Sequence, residues 1–338
     1  MAILANAPQL KAAYTMRPAT LEDSAEIADL INACARKYLG TEETNAAEER
    51  NYAQTPGFEP QRDARVVLSA AGTIVGHAAV WANVPPAVHP FVWARVHPDH
   101  EYQGIGTYLN AWAASRCRAV FAEVPLEARV SMRALLYKEF APAKALLEEL
   151  GWSVIRHNLR MRIEMAAPPP TPQWPEHIGV RPFVLERDIE ALYRAEREIF
   201  RDHFGHVNTP FEEGLANFQH YTEHENFDPS LWFVAYAGDE IAGMALNTLW
   251  AFDSNDEGYV MTLGVRRPWR KQGLGLALLQ HSFGKHYRRG KRRVALHLDA
   301  SNLTGALRLY QRAGMGIHRQ SDMLEKEIRS GIEIEKTE

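Results

Sequence analysis

The sequence predicts an α/β fold written twice in tandem, each copy a mixed sheet with helices on its faces. Three observations predict it. Three anchors repeat with nearly one offset: Arg17 to Arg181 is 164 residues, Gly104 to Gly273 is 169 and Gly151 to Gly314 is 163. Such spacing indicates an internal duplication. Strand-like and helix-like segments alternate through both copies, the pattern of a sheet flanked by helices. A proline-rich stretch, Ala166 to Pro175, favours an extended spacer between them. The expected organisation is a loose leader over 1–14, an N-terminal domain over 15–165, a linker over 166–177, a C-terminal domain over 178–328 and a tail over 329–338.

In the first copy, Met16-Arg-Pro leads into an amphipathic helix bearing Ile27, Leu30 and Ile31. Strands follow at Val66–Ser69, Ile74–Val80 and Phe91–Val96, then a helix from Thr107. The second copy opens the same way, with Val180-Arg-Pro before a helix bearing Ile189, Leu192 and Tyr193. Leu231–Tyr236 and Ile241–Leu246 flank a Gly238-Asp-Glu turn, the signature of a hairpin. Tyr259–Val265 reads as a strand, Leu276–Gln280 as the start of a helix, Arg293–Leu298 as a strand and Thr304–Tyr310 as a last helix.

Composition excludes several classes. A net charge of -4 gives no general attraction to nucleic acid. No apolar run approaches the ~20 residues needed to cross a bilayer, and the N-terminus lacks the basic and apolar regions of a signal peptide. Two cysteines, Cys34 and Cys117, cannot build a disulfide framework, so a reduced, cytoplasmic setting is expected. His203, His206, His220 and His224 lack a third ligand at metal-binding spacing, and no metal is expected. The basic run Arg288 to Arg293 lacks the interleaved aromatics that stack bases.

The most informative segment is Arg-Lys-Gln-Gly-Leu-Gly-Leu at 270–276, between a strand and a helix. Glycine lets backbone approach an anion closely, and the first N–H groups of a helix point at it. The basic residues Arg266, Arg267, Arg270 and Lys271 crowd the same turn. A weaker copy occupies Val96 to Gly106, with Gly104 and Gly106 retained. Downstream, a strand ends near Asn302, and a helix ends at Tyr310 before Gly314-Met315.

These two motifs resemble those of the GNAT superfamily of N-acetyltransferases, whose signature Gln/Arg-x-x-Gly-x-Gly/Ala is met by Arg270, Gly273 and Gly275. The tandem layout is similar to the mycothiol synthase branch, in which the C-terminal half does the chemistry. The resemblance implies two GNAT-like domains, each a central mixed, mostly antiparallel sheet flanked by helices. It implies acetyl-CoA as acyl donor, mainly at the C-terminal domain, and a small-molecule amine as acceptor; the sequence leaves monomer and homodimer both open. Backbone groups of Leu263, Gly264 and Val265 would pair with the pantetheine arm. Arg270, Lys271, Gln272, Gly273, Leu274, Gly275 and Leu276 would hold the pyrophosphate. Asn302 would bind the pantetheine or cap the following helix. Tyr310 would protonate the departing thiolate, since a phenol stays protonated at neutral pH. Glu257, leading into the motif strand, is the preferred proton acceptor for the amine.

The first copy departs from this pattern. Glu101 stands where Arg270 stands, and a carboxylate repels pyrophosphate. Leu147 stands where Tyr310 stands and cannot donate a proton. The N-terminal domain is therefore expected to be non-catalytic, with Val96, Gly104 and Gly106 marking a second place where a cofactor could bind. Two other readings remain at this point: an acyl-CoA-binding sensor without turnover, and an acyltransferase that uses a different donor.

Overall fold

The computed structural model describes residues 9–83, 85–223, 227–251, 254, 256–301 and 305–334. In chain order the elements are β1 (Tyr14–Pro18), α1 (Ser24–Leu39), α2 (Ala46–Ala53), α3 (Pro60–Asp63), β2 (Ala64–Ser69), β3 (Ile74–Trp81) and β4 (Phe91–Val96). They continue with α4 (Ile105–Arg118), β5 (Val130–Tyr137), α5 (Ala141–Glu149), β6 (Ser153–Glu164), β7 (Ile178–Pro182), α6 (Leu185–Phe200) and α7 (Phe211–Glu223). The rest are β8 (Trp232–Ala237), β9 (Glu240–Thr248), β10 (Gly258–Val265), α8 (Leu274–Arg288), β11 (Arg293–Asp299), α9 (Ala306–Arg312) and β12 (Gly316–Arg329). Among the described residues, no helix is long and apolar enough to cross a membrane.

The chain forms two compact units, and they are not the contiguous stretches 15–165 and 178–328. One unit takes the chain up to Arg156 together with Ser321–Ile334; the other is His157–Gln320. The strand β6 begins in the first unit and ends in the second, and β12 does the reverse. Each unit thus receives a strand from the other copy of the duplication. The physical reason lies in polar anchors. Glu325 of β12 accepts from Arg129, Ser131 and Arg133 at 2.5, 2.8 and 3.0 Å, and Lys144 donates to the buried Asp322 at 2.6 Å. In the second unit, Arg160 of β6 donates to Glu257 at 2.7 Å and Arg162 does so at 3.1 Å.

Strand pairing repeats between the units. In the first, β1–β2, β2–β3 and β3–β4 are antiparallel, β4–β5 is parallel and β5–β12 is antiparallel. In the second, β7–β8, β8–β9 and β9–β10 are antiparallel, β10–β11 is parallel and β11–β6 is antiparallel. The mixed, mostly antiparallel sheet expected from the sequence is present in both. The Arg-Pro anchors also repeat. Arg17 donates to Asp23 at 2.7 Å, and Arg181 donates to Asp188 at 2.7 Å. Each aspartate also accepts from the backbone N–H at the start of the following helical segment, from Thr20 and Val184 respectively.

In the second unit the sheet is covered on both faces. One face packs α8 and α9 through Val260, Leu279, Phe283, Leu296, Leu298 and Tyr310, with Leu274 and Leu278 of α8 against Ala242 and Ala245. The other packs α6 and α7 through Leu192, Ile199, Phe218, Trp232 and Met244. Burying a leucine such as Leu278 stabilises by about 1.5–3 kcal/mol. The chain from Ile241 to Asn247 is buried throughout, as a two-sided central strand requires.

Candidate active site

The parallel pair β10–β11 is short. Its partners are Gly258 with Val294 and Tyr259 with Ala295; beyond these the two strands part. Yet β10 runs on to Val265 and β11 to Asp299. Among the described residues no strand pairs β10 on that side past Tyr259, so alternate backbone N–H and C=O groups of Val260–Val265 face an open notch. The pairing of β10 with β9 shifts by one residue between Val260 and Thr262, a β-bulge at Met261. A bulge reverses the in–out alternation of the strand. Val260 accordingly packs with the α8–α9 face, and Gly264 turns toward α6, where a Cβ would meet Ile199 Cγ2 at 2.8 Å.

A cleft of about 770 Å³ fills this notch and continues to the glycine turn. Leu263, Gly264, Val265, Arg270, Lys271, Gly273, Leu274, Gly275, Leu276 and Tyr310 all line it. The turn has the backbone of an anion cradle. Lys271 has φ 63° and Gly273 φ 90°, left-handed positions that rotate successive N–H groups toward one point. Gly273 caps α8, so the helix starts at Leu274, two residues before the expected Leu276. Gly275 lies inside its first turn. A Cβ there would stand 3.2 Å from Leu309 Cδ2, so this glycine lets α8 approach the helix that carries Tyr310. Arg270 fastens the turn by donating to the Val265 and Ile199 carbonyls at 2.9 and 3.5 Å. Gln272 is outside the cleft lining, and its amide donates to the Pro268 carbonyl at 3.0 Å. Asn302 lies outside the described residues.

Tyr310 is buried, at 8% exposure, on the α8–α9 side of the notch. Among the described residues its hydroxyl has no hydrogen-bond partner, and burial pushes the phenol up to about 12. The expectation of Glu257 as proton acceptor does not fit the geometry. Glu257 is outside the cleft lining, 4% exposed, and both its carboxylate oxygens accept from Arg160 and Arg162. A carboxylate with both oxygens committed to guanidinium groups is a structural anchor.

Two histidines of the cleft carry signals that the sequence showed only faintly. His203 lines it beside Phe200, ring centroids 4.7 Å apart, and burial and the Arg270 charge hold it below the usual imidazole range. His297 lines it from β11, and its Nδ1 is 3.0 Å from the Tyr259 hydroxyl. The alternation Leu296-His297-Leu298 on a buried strand was the legible signal for the second.

The first unit repeats the architecture with altered chemistry. The strands β4 and β5 pair only at Phe91 with Arg133. The cleft there is smaller, about 370 Å³, and is lined by Val96, Gly104, Gly106, Glu101 and Leu147. Arg95, at the position of Gly264, fills part of it, its guanidinium 4.2 Å from the Trp93 ring centroid and 4.6 Å from that of Phe140. It pairs with the buried Glu43 at 3.1 Å.

Residues 189–315 match the model of the acetyltransferase (GNAT) family. A mycothiol acetyltransferase of Salinispora arenicola is 31% identical over 259 residues, 73% of this chain and 76% of that protein. One from Streptomyces coelicolor is 28% identical over 325 residues, 91% and 95% of the two chains. The crystal structure of a GCN5-related N-acetyltransferase from Sphaerobacter thermophilus superposes with a TM-score of 0.79 at 33% identity, covering 98% of this chain and 100% of that one. A tandem GNAT protein from the clavulanic acid biosynthesis pathway shares the fold, with a TM-score of 0.68 at 14% identity over 94% and 100% of the two chains.

Proposed function

The chain belongs to the GNAT family of acetyltransferases, and on that premise we propose that its second unit moves an acetyl group from acetyl-CoA to a primary amine of a small molecule. Attack is direct, with both substrates bound together. The observation that carries the proposal is the fork between β10 and β11, open along Val260–Val265, with the left-handed turn at its outer end and Tyr310 in its wall.

Each part suits that donor. The edge groups of Leu263, Gly264 and Val265 offer a pantetheine amide the pairing of an added strand. The N–H groups from Lys271 to Leu276, at the start of the 15-residue α8, offer a diphosphate the positive end of a helix. Tyr310 stays protonated over the working pH range and has a hydroxyl to give to a thiolate. The backbone at the Met261 bulge is the candidate hydrogen-bond donor for the carbonyl oxygen.

The first unit, with Glu101 and Leu147 in place of Arg270 and Tyr310, supports a non-catalytic role. The test is thermal shift with acetyl-CoA, longer acyl-CoAs and CoA alone, then free-thiol detection over an amine panel that includes the acceptor of mycothiol acetyltransferases. Stabilisation by acetyl-CoA follows RT ln(1 + [L]/Kd). Stabilisation without thiol release from any amine would favour a sensor.

A further inference from the structure

We propose that His297, held by Tyr259, is the group that takes the proton from the acceptor amine; the inference rests on the transfer reading above. It starts from where the fork opens. Tyr259 and Ala295 are the last paired residues of β10 and β11. Two residues further along each strand stand Met261, in the bulge, and His297. At ~3.3 Å per residue these two positions are ~7 Å inside the fork, at the end of the cleft opposite the phosphate turn. A donor whose diphosphate lies at Lys271–Leu276 and whose arm follows Val265 back toward Met261 brings its acyl end to this place.

The two faces of the sheet then divide the chemistry. Tyr310 packs with Val260, Leu296 and Leu298 on the α8–α9 face. Tyr259 packs with Ala251, Ala295 and Met261 on the other face. His297 alternates with Leu296 and Leu298, so it shares the face of Tyr259, and the two are joined at 3.0 Å. An acid and a base therefore approach the fork from opposite sides. That arrangement keeps them from neutralising each other and defines the α6–α7 side as the amine's entrance.

His297 is also the histidine suited to the task by position. His203 sits at the phosphate end, under the charge of Arg270. Among the described residues, two charged groups beside His297 are engaged with other partners. Arg160, directly opposite on β6, is paired with Glu257, the residue before β10. Asp299, two residues along β11, accepts from the Ser301 N–H at 2.8 Å.

The proton inventory closes. In the tautomer this scheme requires, His297 Nδ1–H donates to the Tyr259 oxygen, and Nε2, directly or through a water, takes the proton that the substrate ammonium loses. The freed amine forms the C–N bond as the C–S bond breaks. The thiolate takes the phenolic proton of Tyr310. The proton shed by the new amide nitrogen restores that phenol through solvent, and His297 releases its own to solvent. Tyr259 is a positioning residue in this scheme.

The test compares two nucleophiles with acetyl-CoA: the best amine of the panel, which is protonated at pH 7, and hydroxylamine, which is neutral there. In His297→Gln, kcat/KM for the protonated amine should fall by about 10²-fold, the usual scale of a lost base. Hydroxylamine turnover and the acetyl-CoA thermal shift should stay near wild type, and the amine deficit should shrink as pH rises. Tyr259→Phe should move the acid limb of the pH profile without abolishing turnover. Equal losses on both nucleophiles at every pH would overturn the inference. A wild-type protein that turns over no amine and no hydroxylamine would instead sink the transfer reading itself.

Discussion

Glu101 and Arg270 occupy the same backbone conformation in the two units, with φ, ψ of -62°, 157° and -69°, 157°. Each precedes a non-glycine residue in the left-handed region, Tyr102 at φ 59° and Lys271 at φ 63°. Each turn then ends on a left-handed glycine that caps a helix, Gly104 and Gly273. The duplicated turn has kept its geometry while its side-chain chemistry has inverted. Arg270 fastens the second turn to β10 and α6. Glu101 fastens the first to α1, accepting from Lys37 at 2.8 Å and from the Tyr38 hydroxyl at 2.5 Å.

The glycines of the two turns should therefore respond differently to the same change. At Gly273 and at Gly104 a Cβ meets nothing within 4 Å, so space is not the issue. The cost is the left-handed backbone, ~1–2 kcal/mol for a residue with a Cβ. Gly273→Val should weaken acetyl-CoA binding by about tenfold or more as the turn relaxes out of its cradle. Gly104→Val should leave turnover close to wild type. Titration of the acetyl-CoA thermal shift, with kcat measured in parallel, checks both. Loss of turnover in a folded Gly104→Val protein would contradict the division of labour.

Tyr310→Phe should lower kcat by about 10²–10³-fold and leave acetyl-CoA affinity almost unchanged, because a general acid acts in the transition state and not in binding the donor. The pH profile carries a second check. Burial raises the phenol to about 12, so the protonated, active form persists as pH rises through the alkaline range. No basic limb from this residue should appear below pH ~10. A basic limb near neutrality that vanishes in Tyr310→Phe would contradict the assignment.

Much of this was legible in the sequence because it is local. The turn at Arg270–Leu276, the Arg-Pro anchors and the equivalence of Tyr310 with Leu147 all follow from residue type and spacing. The last has a structural counterpart: Leu309 lies beside Gly275, and Leu146 lies 2.7 Å from where a Cβ of Gly106 would be. The strand exchange was not legible. Residues 153–164 and 316–329 fell by contiguity into the domains 15–165 and 178–328, and nothing in their residue types says which sheet β6 and β12 join. The same blindness misread Glu257. Its partners Arg160 and Arg162 lie across the proline-rich linker, in a strand assigned to the other domain, so the acid stood in the sequence as if unpartnered. The left-handed Lys271 was hidden because its side chain gives no sign of that backbone.

The exchanged β12 should make the first unit sensitive to acid. Burial alone would raise the Glu325 carboxyl, but hydrogen bonds from Arg129 and Ser131 and the charge of Arg133 outweigh it and hold the group down to about 2. A depressed carboxylate contributes stability that is present above its ordinary value of 4.5 and is lost as pH falls from there toward 2. Glu325→Ala should cost about 3–5 kcal/mol near neutral pH by leaving buried guanidinium charge uncompensated. The gap in Tm between the variant and wild type should narrow as pH falls through that window. A gap independent of pH would show that packing, not charge, holds the strand.

Glu257 offers the complementary case, because its two possible roles predict opposite readouts. As the anchor of β6 it neutralises Arg160, whose side chain is 1% exposed, and Arg162. Glu257→Gln removes the carboxylate that the two guanidinium groups share, Arg162 keeping Glu164 at 2.6 Å, and loss of one partner of a buried ion pair typically costs about 3–5 kcal/mol. The variant should therefore lose several degrees of Tm while its surviving folded fraction keeps the wild-type pH profile. Replacing Arg160 by Met in the Glu257→Gln background should recover part of the loss, since the penalty comes from the stranded cation. A base would behave the other way, with Tm preserved and the acid limb of kcat/KM removed. Thermal melts and pH profiles of the single and double variants distinguish the two, and the strand geometry favours the first.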